Sequence, residues 1–234
     1  MAVIAYQYRG ELVDQIHRGH IAVTDHTGRI LWKLGDPERL TFARSSAKPL
    51  QAIPVAESGA LEHYGITPQE LAVICSSHNG EPFHVKAVES ILHKAGLSPD
   101  QLCCGAEYPM YVPAEDALKI AGIPRAPIYC DCSGKHAGML ITARHFGESL
   151  ENYTALEHPV QQRILSVFAE MCGVETSEVQ LAVDGCGVPV HALPRCSVSR
   201  RILPYNRLPA PSRTRMTASS QESSHARAVS RRSR

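Results

Sequence analysis

Four strand-like segments with short connections occupy the first 34 residues, and this order of elements limits the fold more than any other feature. Residues 2–8, 12–17, 20–25 and 30–34 are rich in apolar and β-branched side chains, with turn residues between them. Strands joined by such short connections pair antiparallel, because a parallel crossover needs a dozen or more residues. The N-terminal part of the chain therefore predicts an antiparallel sheet.

Helical patterns follow these strands. Residues 45–60 predict a helix stopped by Gly59, and Thr67-Pro68-Gln69-Glu70 is a capping box with proline at the first helical position. Residues 81–97 form an amphipathic pattern that ends at Gly96. Further helices are expected at 113–121, 134–146 and 158–172, and LAVDGCGVP (181–189) predicts a buried strand that breaks into a glycine-rich turn. Strands first and helices afterwards indicate an α+β fold, with helices flanking an antiparallel sheet.

The charge distribution divides the chain at about residue 194. Residues 1–194 hold 14 Lys and Arg against 22 Asp and Glu, whereas residues 195–234 hold ten Arg, no Lys and one acidic residue. The tail also contains nine serines and has no helical or strand periodicity, which is a composition typical of disorder. Three interpretations stay open: a nucleic-acid-binding tail, a native disordered tail, and a GC-rich coding region read out of frame. The third is favoured, and no nucleic-acid partner is expected.

Composition and cysteine usage indicate a soluble protein of a reducing compartment. Apolar content of 44 % and charged content of 20 % are ordinary for a globular domain. No apolar run approaches the roughly 20 residues of a membrane helix, and the first residues lack the pattern of a secretion signal. The eight cysteines are therefore expected to be thiols in the cytoplasm, where they serve as core residues, metal ligands or nucleophiles.

A serine and a lysine three residues apart form the first candidate catalytic pair. On a helix, the Ser45-x-x-Lys48 spacing places both side chains on one face. An unprotonated lysine can take the proton of a serine hydroxyl and so activate it as a nucleophile. The spacing also arises by chance about once in a chain of this length. The pair therefore indicates a catalytic site only if other parts of the sequence supply matching residues.

Small and reactive residues are concentrated in four stretches: RSSAKP (44–49), CSSHNGE (75–81), CDCSGKHAGM (130–139) and DGCG (184–187). Cys132 and Cys186 with a third ligand would match a catalytic zinc centre. Histidine is the commonest metal ligand in proteins, so residue frequency alone favours His136 as the third ligand. Ser77 is better placed as a hydrogen-bonding partner of Ser45 or of its substrate than as a nucleophile activated by the adjacent His78, because adjacent side chains project in different directions. Each stretch could also be a simple turn.

In this order, RSSAKPLQA, SSHNGE, CSGKHAGM and DGCGVP resemble the class 3 L-asparaginases, the asparaginase II family of rhizobial type, over residues 3–194. The resemblance implies a fold like that of the serine β-lactamases and glutaminases, an antiparallel sheet flanked by helices. It implies hydrolysis of L-asparagine to L-aspartate and ammonia, zinc as the cofactor, and a homodimer.

The resemblance also assigns roles to residues of this chain. Ser45 matches the nucleophile, Lys48 the lysine that activates it, and Ser77 a second catalytic serine. The zinc ligands that the resemblance implies are Cys132, Lys135 and Cys186. The third ligand is therefore Lys135, whereas the frequency of histidine among metal ligands favours His136. Substrate binding is assigned to the neighbouring side chains of the same motifs: Arg44, His78, Asn79 and Asp184.

The chain departs from the family pattern after residue 194. Family members continue with further helices and a second catalytic lysine, whereas Lys135 is the last lysine of this chain. Arginine cannot replace that base, because its guanidinium does not deprotonate. The expectation is a truncated or frame-shifted L-asparaginase, incomplete at the C-terminus, with reduced or no activity. An inactive pseudoenzyme and another Ser-x-x-Lys amidohydrolase, acting on glutamine or β-lactams, stay as alternatives.

Overall fold

The computed structural model describes residues 1–25 and 27–194. The expectations for residues 195–234 fall outside the described residues. Seven strands are described: β1 Ala2–Arg9, β2 Leu12–Gly19, β3 Ile21–Thr24, β4 Ile30–Leu34, β5 Leu40–Phe42, β6 Gln180–Val183 and β7 Pro189–Pro194. All pairings between them are antiparallel. The predicted α+β class is confirmed.

Within the described ranges, seven α-helices follow the first five strands: α1 Lys48–Glu57, α2 Ala60–His63, α3 Pro68–Ile74, α4 Pro82–Lys94, α5 Val112–Ile120, α6 Ser133–His145 and α7 Pro159–Cys172. The capping box predicted at Thr67 is present, since Thr67 Oγ1 accepts the N–H of Glu70 and the Glu70 carboxylate accepts the N–H of Thr67. The helix predicted at 45–60 is divided into a 3-10 turn, α1 and α2, with Gly59 at φ +81° between the two α-helices.

The strands form three separate antiparallel sheets among the described residues: the hairpins β1–β2 and β3–β4, and a three-stranded sheet in the order β5–β7–β6. Helix α7 covers one face of the three-stranded sheet, where the Phe168 ring stacks on His191 at 4.6 Å. The strand predicted at the start of the stretch 181–189 is present as β6, Gln180–Val183, but the expectation that it is buried is wrong. It is an edge strand, and Val183 is 76 % exposed.

Helix α6 is the centre of the helical part, and its first eleven residues, 133–143, are all buried. Two glycines on this helix allow close contact with α3. A Cβ atom at Gly134 would lie 2.5 Å from the Val73 carbonyl oxygen, and one at Gly138 would lie 2.7 Å from Ile74 Cγ2. The central position of α6 fixes the segment 130–136, which carries several candidate site residues.

Gly134→Ala is expected to lower the free energy of unfolding by about 1–3 kcal/mol, because the added methyl group would overlap a backbone carbonyl that cannot move independently. Urea denaturation followed by circular dichroism measures this change. Gly185→Ala is the matched control, since a Cβ at Gly185 meets nothing within 4 Å. Equal stability of the two variants would contradict the close packing of α6 on α3.

Within the described part of the chain, no helix combines the length and apolar character needed to cross a lipid bilayer.

Candidate active site

Ser45 lies in the 3-10 turn Arg44–Ala47, which connects β5 to the start of α1. Arg44 has a φ of +50°, a left-handed conformation that costs free energy for a residue with a Cβ atom. Its guanidinium Nη1 lies 3.3 Å from Asp184 Oδ1, in the turn between β6 and β7. The two oppositely charged residues assigned to substrate binding therefore lie together, next to the exposed Ser45.

Lys48 is the first residue of α1 and its side chain is 1 % exposed. Its Nζ donates hydrogen bonds to Ser77 Oγ at 2.6 Å and to the Ser76 carbonyl at 3.1 Å. A third hydrogen bond reaches the Asp131 carbonyl at 3.2 Å. The lysine amine is thus fixed in position by the loops that contain Ser77 and Asp131.

Ser77 connects the lysine to the candidate nucleophile. Ser77 Oγ lies 3.0 Å from Ser45 Oγ and 2.6 Å from Lys48 Nζ. The spacing predicted direct reach between Ser45 and Lys48, whereas the observed connection passes through the Ser77 hydroxyl. Because a hydroxyl donates one hydrogen bond and accepts others, this series of hydrogen-bonded groups can transfer a proton in either direction. The prediction that Ser77 hydrogen-bonds to Ser45 agrees with this geometry.

Sequence reasoning did not identify Asp131 as a site residue. Its carboxylate Oδ2 lies 3.8 Å from Lys48 Nζ. Burial alone would raise the pKa of this carboxyl, but the Lys48 charge and hydrogen bonds from Ser77 and neighbouring thiols lower it overall. Asp131 is therefore ionised at neutral pH. The available signal was its position inside the CDCSGK stretch. The two cysteines that flank it were interpreted by their spacing as possible metal ligands, and the aspartate between them was not considered.

His78 is buried and holds the loop that carries Ser77. The Gly80 N–H donates to His78 Nδ1 at 3.1 Å, so the ring proton is on Nε2, which lies 2.8 Å from Ser133 Oγ. Burial and the nearby His84 and Lys48 charges lower the pKa of His78 to about 4. The ring is therefore neutral at pH 7, with both nitrogens bonded inside the protein. The assignment of His78 to substrate binding stays a prediction.

Asn79 follows on the same loop and is exposed. Its main-chain carbonyl accepts the N–H of Tyr111 at 2.8 Å, which ties the loop to the start of α5. The side-chain amide is thus available at the surface beside Ser77, and its contact with substrate also stays a prediction.

The side chains of three residues from distant parts of the sequence lie close together: Cys132, Lys135 and Cys186. The first and the last of them are 54 positions apart. All three are buried, and Lys135 Nζ lies 3.2 Å from Cys186 Sγ. The thiols of Cys132 and Cys186 are hydrogen-bonded to each other. Two sulfur atoms and one amine nitrogen at such separations fit three corners of a tetrahedral zinc site, and the fourth position could hold water or substrate.

These thiols are protonated in the absence of a cation. The hydrogen bond that the Cys186 thiol donates to Cys132, together with burial, raises the pKa of Cys186 to about 11. A divalent cation would have to displace protons from both sulfur atoms and from the Lys135 amine, so its binding would strengthen with rising pH.

His136 is fully buried and lies beside the same cluster, where one of its ring nitrogens contacts Tyr153. Tyr153 Oη accepts the Cys103 N–H at 2.8 Å and lies 2.7 Å from His136 Nδ1. Burial raises the pKa of Tyr153, so its hydroxyl keeps its proton. Nδ1 of His136 is therefore occupied by the tyrosine hydroxyl, and the choice of Lys135 over His136 as the third donor stays a prediction from the family resemblance.

A serine–serine–lysine cluster beside a Cys–Lys–Cys set, on an α+β scaffold, is the arrangement of a candidate serine hydrolase. The family model of L-asparaginase II matches residues 5–231 of the chain. The protein belongs to the L-asparaginase II family and is an asparaginase-type amidohydrolase. The match includes most of the Arg- and Ser-rich segment after residue 194. No curated protein matches the chain significantly.

Proposed function

We propose that this protein hydrolyses L-asparagine to L-aspartate and ammonia through an acyl-enzyme on Ser45. The observation that carries the proposal is the hydrogen-bonded chain from Ser45 Oγ through Ser77 Oγ to the buried Lys48 Nζ. In its neutral form the Lys48 amine can serve as the base that a serine nucleophile requires.

The steps follow from this chain of groups. With Lys48 neutral, the Ser45 proton passes to Ser77 while the Ser77 proton passes to Lys48 Nζ. Ser45 Oγ bonds to the side-chain amide carbon of the substrate, the C–N bond breaks, and the nitrogen takes a proton from Lys48 and leaves as ammonia. Water then cleaves the ester with the same groups as proton carriers, which releases L-aspartate and restores Ser45.

The Arg44–Asp184 pair suits the charges of an amino acid. Arg44 can pair with the α-carboxylate and Asp184 with the α-ammonium group, and both lie near Ser45. Asn79 and the loop held by His78 would face the side-chain amide. This arrangement favours a small zwitterionic substrate over a β-lactam, which has no free α-amino acid group to satisfy both charges.

Zinc is the cofactor proposed, held by Cys132, Lys135 and Cys186. When bound, it supplies a positive charge that orients and polarises a substrate oxygen. The chain's own residues keep this set adjacent to the Ser–Lys cluster, because Asp131 contacts Lys48 and directly precedes Cys132. A cytoplasmic location is proposed because the seven described cysteines are free thiols, and a homodimer is proposed from family resemblance.

The test is ammonia and aspartate release by the full chain incubated with L-asparagine, with D-asparagine, L-glutamine and a chromogenic β-lactam as parallel substrates. Selective release from L-asparagine would support the proposal. Preference for glutamine or the β-lactam would assign another amidohydrolase activity. A folded, zinc-loaded protein that turns over none of them would overturn the proposal in favour of a catalytically inactive family member.

A further inference from the structure

The charge of Lys48 has one carboxylate partner within the described residues. Lys48 Nζ lies 3.8 Å from Asp131 Oδ2, while its three hydrogen bonds go to a hydroxyl and two carbonyl groups. Asp184, the other acidic residue of the candidate site, pairs with Arg44 instead. Any positive charge on the buried Lys48 is therefore balanced by Asp131.

Asp131 makes further contacts besides the one between its carboxylate and Lys48 Nζ. Its carbonyl oxygen accepts the N–H of His78 at 3.2 Å as well as a hydrogen bond from Lys48. Cys130 Sγ lies 3.7 Å from Asp131 Oδ1, whereas the lysine contact is with Oδ2. The main chain of Asp131 thus joins the Ser77 loop to the start of α6, which places its carboxylate beside Lys48.

We infer that Asp131 is a positioning residue of the proposed reaction, which holds Lys48 Nζ against Ser77 and stabilises the ammonium group that forms when the Ser45 proton arrives. This inference rests on the proposed function. A buried ammonium without a counter-ion is costly, so a carboxylate beside it lowers the barrier to nucleophilic attack. The role corresponds to that of the acidic member of a Ser–His–Asp triad, with lysine in place of histidine.

A competing role for Asp131 is metal binding, because its carboxylate, the Glu107 carboxylate and the Cys130 thiol lie within 4.8 Å of one another. The two roles differ in whether they require the Glu107 carboxylate. A metal at this cluster would need Glu107, whereas the positioning role uses Asp131 alone. Glu107→Gln is therefore a matched control for Asp131→Asn, since each replaces one carboxylate by an amide of equal size.

The experiment measures two quantities on the full chain. The first is the rate at which a fluorophosphonate probe labels Ser45, followed by intact-protein mass, with Ser45→Ala as the unlabelled reference. The second is kcat and KM for L-asparagine. Asp131→Asn is expected to slow labelling and to lower kcat by about tenfold or more with KM little changed, and Asp131→Glu to restore part of the loss. Glu107→Gln should match the unmodified chain.

The outcomes separate the inference from the proposed function. Failure of the unmodified chain to label at Ser45 would overturn the proposed function and the inference with it. Normal labelling by the unmodified chain and by Asp131→Asn would overturn the inference alone, as would equal losses in Asp131→Asn and Glu107→Gln. If Asp131→Asn does not fold by circular dichroism, Asp131→Ser replaces it under the same criteria.

Discussion

Ser45→Ala is expected to lower ammonia release from L-asparagine by about a thousandfold or more. The hydroxyl is the group proposed to form the acyl-enzyme, and Ser77 cannot replace it without losing its own position between Ser45 and Lys48. The measurement is a coupled ammonia assay at saturating substrate, with mass spectrometry to detect a covalent adduct.

Ser46→Ala is the matched control, because the neighbouring Ser46 hydroxyl donates to the Ala43 carbonyl within the same 3-10 turn. It is expected to keep most of the activity. If Ser45→Ala keeps its activity while Ser46→Ala loses it, the nucleophile has been assigned to the wrong serine. Retention by both would exclude an acyl-enzyme on this turn.

Cys186→Ala is expected to reduce bound zinc from about one ion per chain to a small fraction of that value, because it removes one of only three protein donors. The remaining Cys132 and Lys135 cannot enclose a cation by themselves. Zinc content is measured by inductively coupled plasma mass spectrometry after dialysis against metal-free buffer, and cobalt substitution reports thiolate coordination through its charge-transfer absorption.

Cys172→Ala controls for the loss of a buried cysteine. Cys172 is also buried, but it packs in the apolar cluster under the three-stranded sheet with Phe168 and Leu193. This variant should keep its zinc, although it loses some stability. Equal zinc content in the two variants would exclude Cys186 as a ligand.

The local elements could be predicted from the sequence because their signals are local. The capping box at Thr67 and the stops at Gly59 and Gly96 depend on residues within four positions of each other, and each is found where expected. The exposure of β6 could not be predicted in this way. An apolar run gives the same pattern in a central strand and in an edge strand, and only the strand order decides between them.

The same distinction between local and distant signals applies to the site residues. Ser45 and Lys48 were identified because they are three residues apart, and the motif resemblance added Ser77 and the Cys–Lys–Cys set. Asp131 was missed because its partner Lys48 is 83 residues away. The contact between His136 and Tyr153 was equally hidden, since Tyr153 lies 17 residues further along the chain and belongs to none of the four motifs.

The sequence by itself determined the α+β class, the position of most helices and the residue types available for an amidohydrolase. The Ser45–Lys48 spacing was compatible with a nucleophile and its base. Only the tertiary structure decided that Ser77 lies between them and that Asp131 is the counter-ion of Lys48. The physical reason is that hydrogen bonds and charge pairs in a buried site depend on distances between loops, which the order of residues along one loop does not specify.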